Sequence, residues 1–176
     1  MNAAAAYLTA RNSGMQDPEI QKGYHFVQAT GMRNELMHFG HWCVLNDAYK
    51  SNPQSAIAAL ETFEQIPGNN RIAVLADMLD QGDKGPQLHR ELGEACGHFK
   101  LDKVFCFGEL GTFIGEGAHK AGVADVRCFL DRGELIDALI NETSHEATVL
   151  FKGSRGMKLD EILAQVKEKV EQDGKN

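Results

Sequence analysis

The feature that most constrains the fold is a regular alternation of short apolar runs with amphipathic helical segments. Five apolar runs are each short enough for one strand, and apolar residues at helical spacing follow each of them. The predicted strands are Trp42–Leu45, Arg71–Asp77, Lys103–Phe107, Val126–Leu130 and Ala147–Phe151. Strands joined through helices run parallel, and right-handed crossovers place the helices on both faces. The sequence therefore predicts an α/β fold with a Rossmann-like, doubly wound, mostly parallel sheet.

A helical segment of different composition precedes this alternation. Residues 2–13 are rich in alanine and other strong helix formers, and Gly14 is expected to end that helix. A second helix is expected to begin at Asp17-Pro18-Glu19, where a capping residue, a first-turn proline and an acid follow one another. It is expected to end at Thr30-Gly31, ahead of the first predicted strand. The sheet is thus predicted to follow a short helical segment.

Charge and hydropathy argue against two classes of partner. The 176 residues carry a formal net charge of −7, and no basic stretch is dense enough to neutralise many phosphates, so nucleic acid is not an expected partner. No apolar run approaches the roughly 20 residues that a membrane span needs. The N-terminus also lacks the basic and apolar regions of a signal peptide. We therefore expect a cytoplasmic protein that binds neither nucleic acid nor membrane.

The cysteines and histidines show no metal-binding spacing. The four cysteines contain no CxxC pair, and each falls in a predicted strand or on an apolar helix face: Cys43, Cys96, Cys106 and Cys128. They are expected to be small buried side chains in a reducing compartment. His89 is expected on a helix surface. No metal site is predicted.

Three polar stretches follow predicted strands and are expected on one rim of the sheet, where ligands of such folds bind. They are Asn46–Pro53, Asp77–Gly82 and Lys152–Arg155. In the third, a Gly-rich basic turn lies between a strand and a helix, an arrangement that suits a carboxylate or phosphate. An ordinary strand-to-helix connection with solvated basic residues explains the same stretch equally well.

Two residues on this rim also have purely structural explanations. Asn52 precedes Pro53 and fits a helix N-cap, and Asp77 fits a turn acid as well as a ligand. The sequence contains no GxxxxGK[ST] loop, no GxGxxG turn and no nucleophile elbow. The residues alone predict an anion-binding rim without the complete machinery of an enzyme.

Four segments in order resemble the Mur ligase family of peptidoglycan synthesis. They are Leu45–Pro53, Ile72–Gly82 with His89 after it, Phe107–Leu110 and Lys152–Met157. They are most similar to the branch that adds D-alanyl-D-alanine to UDP-N-acetylmuramoyl-tripeptide. The resemblance implies that residues 1–40 are the helical tail of a central ATP-binding domain with its linker. It implies that residues 41–176 are the family's C-terminal domain, and that the chain is part of a longer protein.

The resemblance also implies an ATP-dependent amide ligation. ATP phosphorylates the carboxylate of the tripeptide, and the amine of D-alanyl-D-alanine attacks the acyl phosphate. The family's phosphate loop, magnesium ligands and modified lysine belong to the central domain. ATP and Mg²⁺ are therefore expected cofactors of the full-length enzyme, with neither bound to this chain alone. The isolated chain is expected to be inactive, and its expected partners are the N-terminal and central domains.

Two sets of ligand-binding residues follow from the resemblance, and no catalytic residue does. Arg33 is implied to reach the ATP phosphates, where a guanidinium fork is well suited, and Asp47 to hold the ribose hydroxyls. The implied ATP-binding set is Arg33, Asp47, Tyr49 and Asn52. The implied dipeptide-binding set is Ser154, Arg155, Lys152 and Asp77.

Two other interpretations stay open. The chain is alternatively a non-catalytic Rossmann-like module that binds a small carboxylate or nucleotide for a partner, which predicts useful affinity in isolation. It is alternatively the C-terminal domain of a Mur ligase that adds another amino acid. The Lys152–Gly156 loop and the Asp77–Gly82 run favour the dipeptide branch, by resemblance alone.

Overall fold

The structure is a computed structural model that describes residues 2–24, 31–142 and 145–173. It contains two compact units, Met1–Thr30 and Gly31–Asn176. In the first unit, α1 covers Asn2–Asn12 and α2 covers Asp17–Tyr24. Gly14 has a φ of +90°, a backbone conformation that glycine adopts without strain, and it follows the end of α1 as predicted. The predicted end of the second helix at Thr30 lies outside the described residues.

The second unit is built on a six-stranded sheet with the order β1-β2-β6-β3-β4-β5. Its strands are β1 (Glu35–Phe39), β2 (Trp42–Asp47), β3 (Arg71–Ala76), β4 (Lys103–Phe107), β5 (Asp125–Phe129) and β6 (Ala147–Lys152). Strands β2 to β6 are parallel, while β1 pairs with β2 in the antiparallel sense. The prediction of a mostly parallel sheet is confirmed.

Helices cover both faces of the sheet, which confirms the doubly wound arrangement. The helices are α3 (Pro53–Glu64), α4 (Gly85–Cys96), α5 (Gly111–Lys120), α6 (Arg132–Ile140) and α7 (Leu159–Asp173). In β3, Ile72 and Val74 pack with the apolar side chains of α6 and α7, whereas Ala73 and Leu75 pack with those of α3, α4 and α5. Because both faces are buried, β3 is a continuous apolar run rather than an alternating one.

Strand β1 was not predicted from the sequence. It forms a hairpin in which Phe39 lies opposite Trp42, and the φ of Gly40 is +53°, which suits a tight turn. Phe39 is buried but Leu36 is 52% exposed, so the strand carries only a weak apolar pattern. Since β1 belongs to the sheet, the compact sheet-bearing unit starts at Gly31, ahead of the implied boundary at residue 41.

Helices α4 and α5 pack backbone against backbone. A Cβ atom on Gly93 would lie 2.0 Å from the carbonyl oxygen of Ile114, and one on Gly117 would lie 2.2 Å from that of Arg90. Only glycine permits this approach. The contact fixes the position of α5, whose first turn touches the rim described below.

The expectation that all cysteines are buried is half right. Cys96 and Cys106 are buried, but Cys43 is partly exposed and Cys128 is exposed. Cys128 lies on β5, an edge strand of the sheet. Membership of a strand therefore did not imply burial at that position.

Candidate functional site

The three polar stretches meet at the carboxyl edge of the sheet, as predicted. They follow β2, β3 and β6, which are neighbours in the strand order. Together they line a cavity of about 450 Å³, here called the rim cavity. Its lining residues are Tyr49, Lys50, Ser51, Asn52, Leu79, Asp80, Gln81, Ser154, Arg155 and Gly156. A cavity of this size accommodates a small ligand such as a dipeptide.

A second cavity of about 290 Å³ lies between the end of β2 and α3, here called the α3 cavity. Arg33, Asp47 and Lys152 are among the residues that line it, and Lys50 lines both cavities. The α3 cavity is therefore lined by both a carboxylate and a guanidinium. These are the groups that bind hydroxyls and phosphates respectively.

Tyr49 holds an arginine of each cavity. The guanidinium carbon of Arg33 lies 4.2 Å from the centroid of the Tyr49 ring, and that of Arg155 lies 5.6 Å from it. Arg155 also approaches the sulfur of Met32 at 3.2 Å. The ring therefore positions two cations that belong to neighbouring cavities.

Lys152 is buried, and its ammonium group binds neighbouring protein groups instead of serving as a free ligand-binding group. Its side chain is 0% exposed, and its ammonium nitrogen lies 3.1 Å from a carboxylate oxygen of Asp47. It also donates to the carbonyl oxygen of Asp47 at 3.3 Å and to that of Lys50. Burial lowers the pKa of Lys152, and the neighbouring Asp47 partly opposes that shift. All three ammonium donors are used, so the side chain fixes the loop after β2.

Asp47 is held from two sides. One carboxylate oxygen accepts the backbone N–H of Asn34 at 3.1 Å, and the other forms the ion pair with Lys152. The side chain is 15% exposed and borders the α3 cavity. Each carboxylate oxygen retains acceptor capacity for a ligand hydroxyl.

Ser154 links two of the loops. Its hydroxyl oxygen accepts the backbone N–H of Leu79 at 2.9 Å, and its own backbone N–H donates to the carbonyl oxygen of Asp77 at 3.2 Å. The hydroxyl proton is still available for a ligand acceptor. Ser154 thus shapes the rim cavity and also borders it.

Asp77 caps the start of α5. Its carboxylate accepts the backbone N–H of Gly111 at 2.7 Å, and Asp77 is 7% exposed. Burial raises the pKa of this carboxyl, while the N–H groups of Gly111 and Leu110 act in the opposite direction. A Cβ atom on Gly108, whose φ is +108°, would lie 2.4 Å from the carboxylate. The contacts give Asp77 a structural role beneath the rim cavity.

His89 is wholly buried, so its predicted surface position is wrong. Its Nε2 accepts the backbone N–H of Met78 at 2.8 Å, and its Nδ1 lies 2.6 Å from the carbonyl oxygen of Gly85. The N–H of Met78 requires an unprotonated Nε2, which assigns the proton to Nδ1. His89 therefore holds the loop after β3. Its helical spacing with Leu92 and Cys96, both buried, was the available signal.

Asn52 forms the N-cap that its sequence context allowed. Its side-chain oxygen accepts the N–H of Ser55 at 2.8 Å, and the Ser55 hydroxyl accepts the N–H of Asn52 at 3.0 Å. Asn52 also lines the rim cavity. Sequence reasoning missed Leu79, a large aliphatic side chain that is 38% exposed in that cavity. An apolar residue within a polar loop was the signal.

Two absences hold for residues 2–24, 31–142 and 145–173. They contain no group of three or more His, Cys, Asp or Glu side chains placed to hold a metal ion. No helix within them is long and apolar enough to cross a membrane.

Sequence comparisons identify relatives along most of the chain. Residues 32–155 match the family model described as the glutamate ligase domain of Mur ligases. A UDP-N-acetylmuramoyl-tripeptide–D-alanyl-D-alanine ligase of Bacillus subtilis is 38% identical over 166 residues, which cover 93% of this chain and 36% of that protein. The ligase of the same name from Escherichia coli is 30% identical and is covered to 36%. The chain thus spans about a third of the length of these relatives.

Structural comparisons agree with this result. MurF from Acinetobacter baumannii superposes with a TM-score of 0.86 at 28% identity, covering 95% of this chain and 37% of that one. MurF from Thermotoga maritima in complex with ADP superposes with a TM-score of 0.81, covering 98% of this chain and 38% of that one. Because its sequence identity is only 22%, the second match supports the fold alone.

Proposed function

Since this chain belongs to the Mur ligase family, we propose that it is the C-terminal domain of a ligase that joins D-alanyl-D-alanine to UDP-N-acetylmuramoyl-tripeptide. One observation carries the proposal. Two cavities adjoin on one rim, one with an arginine and a serine and the other with a fixed carboxylate and an arginine. An amide ligase that consumes ATP needs an amine substrate and a nucleotide close together.

The α3 cavity fits part of a nucleotide. The Asp47 carboxylate is held in one orientation by the Asn34 N–H and the Lys152 ammonium. Its remaining lone pairs therefore have fixed directions and suit a pair of ribose hydroxyls. Arg33 supplies a guanidinium for phosphate oxygens. ATP supplies the phosphoryl group that activates the tripeptide carboxylate, and this chain's residues bind and orient it. The magnesium ligands are expected from the central domain.

The rim cavity fits the dipeptide. Arg155 offers a guanidinium to its terminal carboxylate, Ser154 offers a hydroxyl proton, and Leu79 offers an apolar wall to a methyl group. Lys152 acts through Asp47 and the Lys50 carbonyl rather than on a ligand. Asp77 supports the rim by holding α5. The dipeptide-binding role thus falls to Ser154 and Arg155.

The remaining parts of the proposal concern the whole enzyme. Residues 1–40 include the helical tail and linker of the central ATP-binding domain, although β1 within that range joins the sheet. The N-terminal and central domains complete both cavities when the enzyme closes. The enzyme acts on soluble precursors in the cytoplasm. We expect the isolated chain to hydrolyse no ATP.

Reconstitution tests this function. The chain is fused to, or mixed with, the N-terminal and central domains of the Bacillus subtilis relative. Phosphate release is followed with ATP, Mg²⁺, UDP-N-acetylmuramoyl-tripeptide and D-alanyl-D-alanine. We expect dipeptide-dependent release that Asp47→Ala and Arg155→Ala abolish. The matched exposed controls Asp137→Ala and Arg127→Ala are expected to retain it.

Two outcomes would contradict the proposal. Phosphate release by the fusion that ignores D-alanyl-D-alanine would point to another amine substrate. A silent fusion, together with calorimetric binding of ATP or D-alanyl-D-alanine by the chain alone, would favour the non-catalytic binding module.

A further inference from the structure

Two cysteines face each other across neighbouring strands, away from the ligand cavities. Cys106 on β4 and Cys128 on β5 are Cα partners in the parallel ladder. A Cβ atom on Gly115 of α5 would lie 2.2 Å from the sulfur of Cys128 and 3.8 Å from that of Cys106. Both sulfurs therefore point to the same side of the sheet and converge on one point of α5. The absence of a side chain at Gly115 leaves them that space.

The two thiols differ in access and in acidity. Cys106 is fully buried, whereas Cys128 is exposed on the edge strand. The hydrogen bond from the Cys106 thiol lowers the pKa of Cys128 to about 7 and raises that of Cys106 well above its usual value. Among the other groups nearby, Glu116 on α5 raises the pKa of Cys128, and Cys96 on α4 raises that of Cys106. The accessible thiol is thus the more nucleophilic one near neutral pH.

Strand geometry permits a bond between them. Neighbouring strands lie about 4.8 Å apart, and disulfide-bonded cysteines have Cα atoms about 4.4–6.8 Å apart. Register partners on one side of a sheet meet this requirement without a change of strand pairing.

We propose that Cys106 and Cys128 form an oxidisable dithiol that closes to a disulfide in the presence of a peroxide. The Cys128 thiolate attacks one oxygen of hydrogen peroxide, so that an S–O bond forms and the O–O bond breaks. The hydroxide that leaves is protonated to water. The resulting sulfenic acid is attacked by the Cys106 sulfur, the S–O bond breaks, and a second water leaves with the Cys106 proton. Two thiols are oxidised and one hydrogen peroxide is reduced.

Peptide mapping tests the proposal on the 176-residue chain itself. The protein is treated with hydrogen peroxide at neutral pH, digested without reductant and analysed by mass spectrometry. We expect one linked pair of peptides, joined through Cys106 and Cys128 and lighter by two hydrogens than the separate thiols. Cys128→Ser should abolish the link, and Cys43→Ser should leave it. Linkage through Cys43, or sulfinic acid at Cys128 without linkage, would overturn the proposal.

Alkylation by iodoacetamide provides a second test that does not need the disulfide to form. The rate at Cys128 should rise with a midpoint of about pH 7. In Cys106→Ala, which lacks the donating thiol, the midpoint should move up toward that of an ordinary cysteine. Cys43→Ala is the matched control and should leave the profile unchanged. If the midpoint of the alkylation rate at Cys128 were unchanged in Cys106→Ala, the pairing of the two thiols would be refuted.

Discussion

Replacing Lys152 with methionine tests how the two cavities are held together. The substitution keeps most of the buried apolar length and removes the ammonium. Asp47 loses its ion pair at 3.1 Å, and the carbonyl oxygens of Asp47 and Lys50 lose their donors. We expect a large loss of stability, because these groups stay where water has little access.

The magnitude follows from the contacts. Removing one partner of a buried ion pair costs about 3–5 kcal/mol. Two features reduce the cost here. Asp47 is 15% exposed and keeps the Asn34 N–H, and burial already lowers the pKa of Lys152, so removing the ammonium removes an unfavourable desolvation. We therefore expect Lys152→Met to lower the free energy of unfolding by about 2–4 kcal/mol.

Urea unfolding followed by fluorescence measures this change. The protein has one tryptophan, and Trp42 is buried in β2 at 1% exposure, so its emission reports on the sheet. Lys50→Met is the matched control, since Lys50 is exposed in the same loop, and it should stay within about 0.5 kcal/mol of the parent. Adding Asp47→Asn to Lys152→Met should restore about 1 kcal/mol or more, because a neutral amide needs no counter-charge. A Lys152→Met chain as stable as the control would refute the reasoning.

Four further predictions concern Asp77, Leu79 and Asn52. Asp77→Ala should lower the free energy of unfolding by about 1–3 kcal/mol, because the Gly111 N–H loses its acceptor. Asp77→Asn should lower it by less. Equal losses for the two variants in urea unfolding would contradict the capping role. Burial raises the pKa of the Asp77 carboxyl in the folded state. The free energy of unfolding should therefore fall as the pH rises from the usual carboxyl pKa to the raised one. An Asp77→Asn variant with the same pH dependence of stability as the parent would contradict this prediction. Leu79→Ala should reduce the preference of the ligase for D-alanyl-D-alanine over glycine-containing dipeptides by about tenfold, and unchanged kcat/KM ratios would exclude Leu79 from substrate recognition. Asn52→Ala should cost about 1 kcal/mol through loss of the α3 cap, and a cost near zero would show that the cap is dispensable.

Sequence patterns predicted the sheet well because its central strands are buried on both faces. In β3, apolar side chains face helices on either side, which leaves a run that is hard to mistake. Strand β1 was not predicted, because Phe39 is its only buried residue and the strand therefore lacks a clear apolar pattern. Its place in the sheet depends on pairing with β2, which no local pattern encodes.

The site was predicted at the level of loops but not of individual side chains. The rule on carboxyl ends of parallel strands placed all three loops on one rim. It did not reveal that the Lys152 ammonium bonds to the loop after β2, or that the Asp77 carboxylate reaches the start of α5. Those contacts join residues far apart in the chain and depend on strand order. His89 was misplaced because its polar character was given more weight than its apolar helix face.

The most direct test of the central claim is a comparison of KM values in the reconstituted ligase. The claim is that this chain contributes to two separate ligand sites, with Arg155 at the dipeptide and Asp47 at the nucleotide. We expect Arg155→Lys to raise the KM for D-alanyl-D-alanine and leave that for ATP unchanged, since an ammonium cannot replace a guanidinium fork. Asp47→Asn is expected to do the reverse. Equal changes in both KM values for either variant would contradict the assignment of two sites.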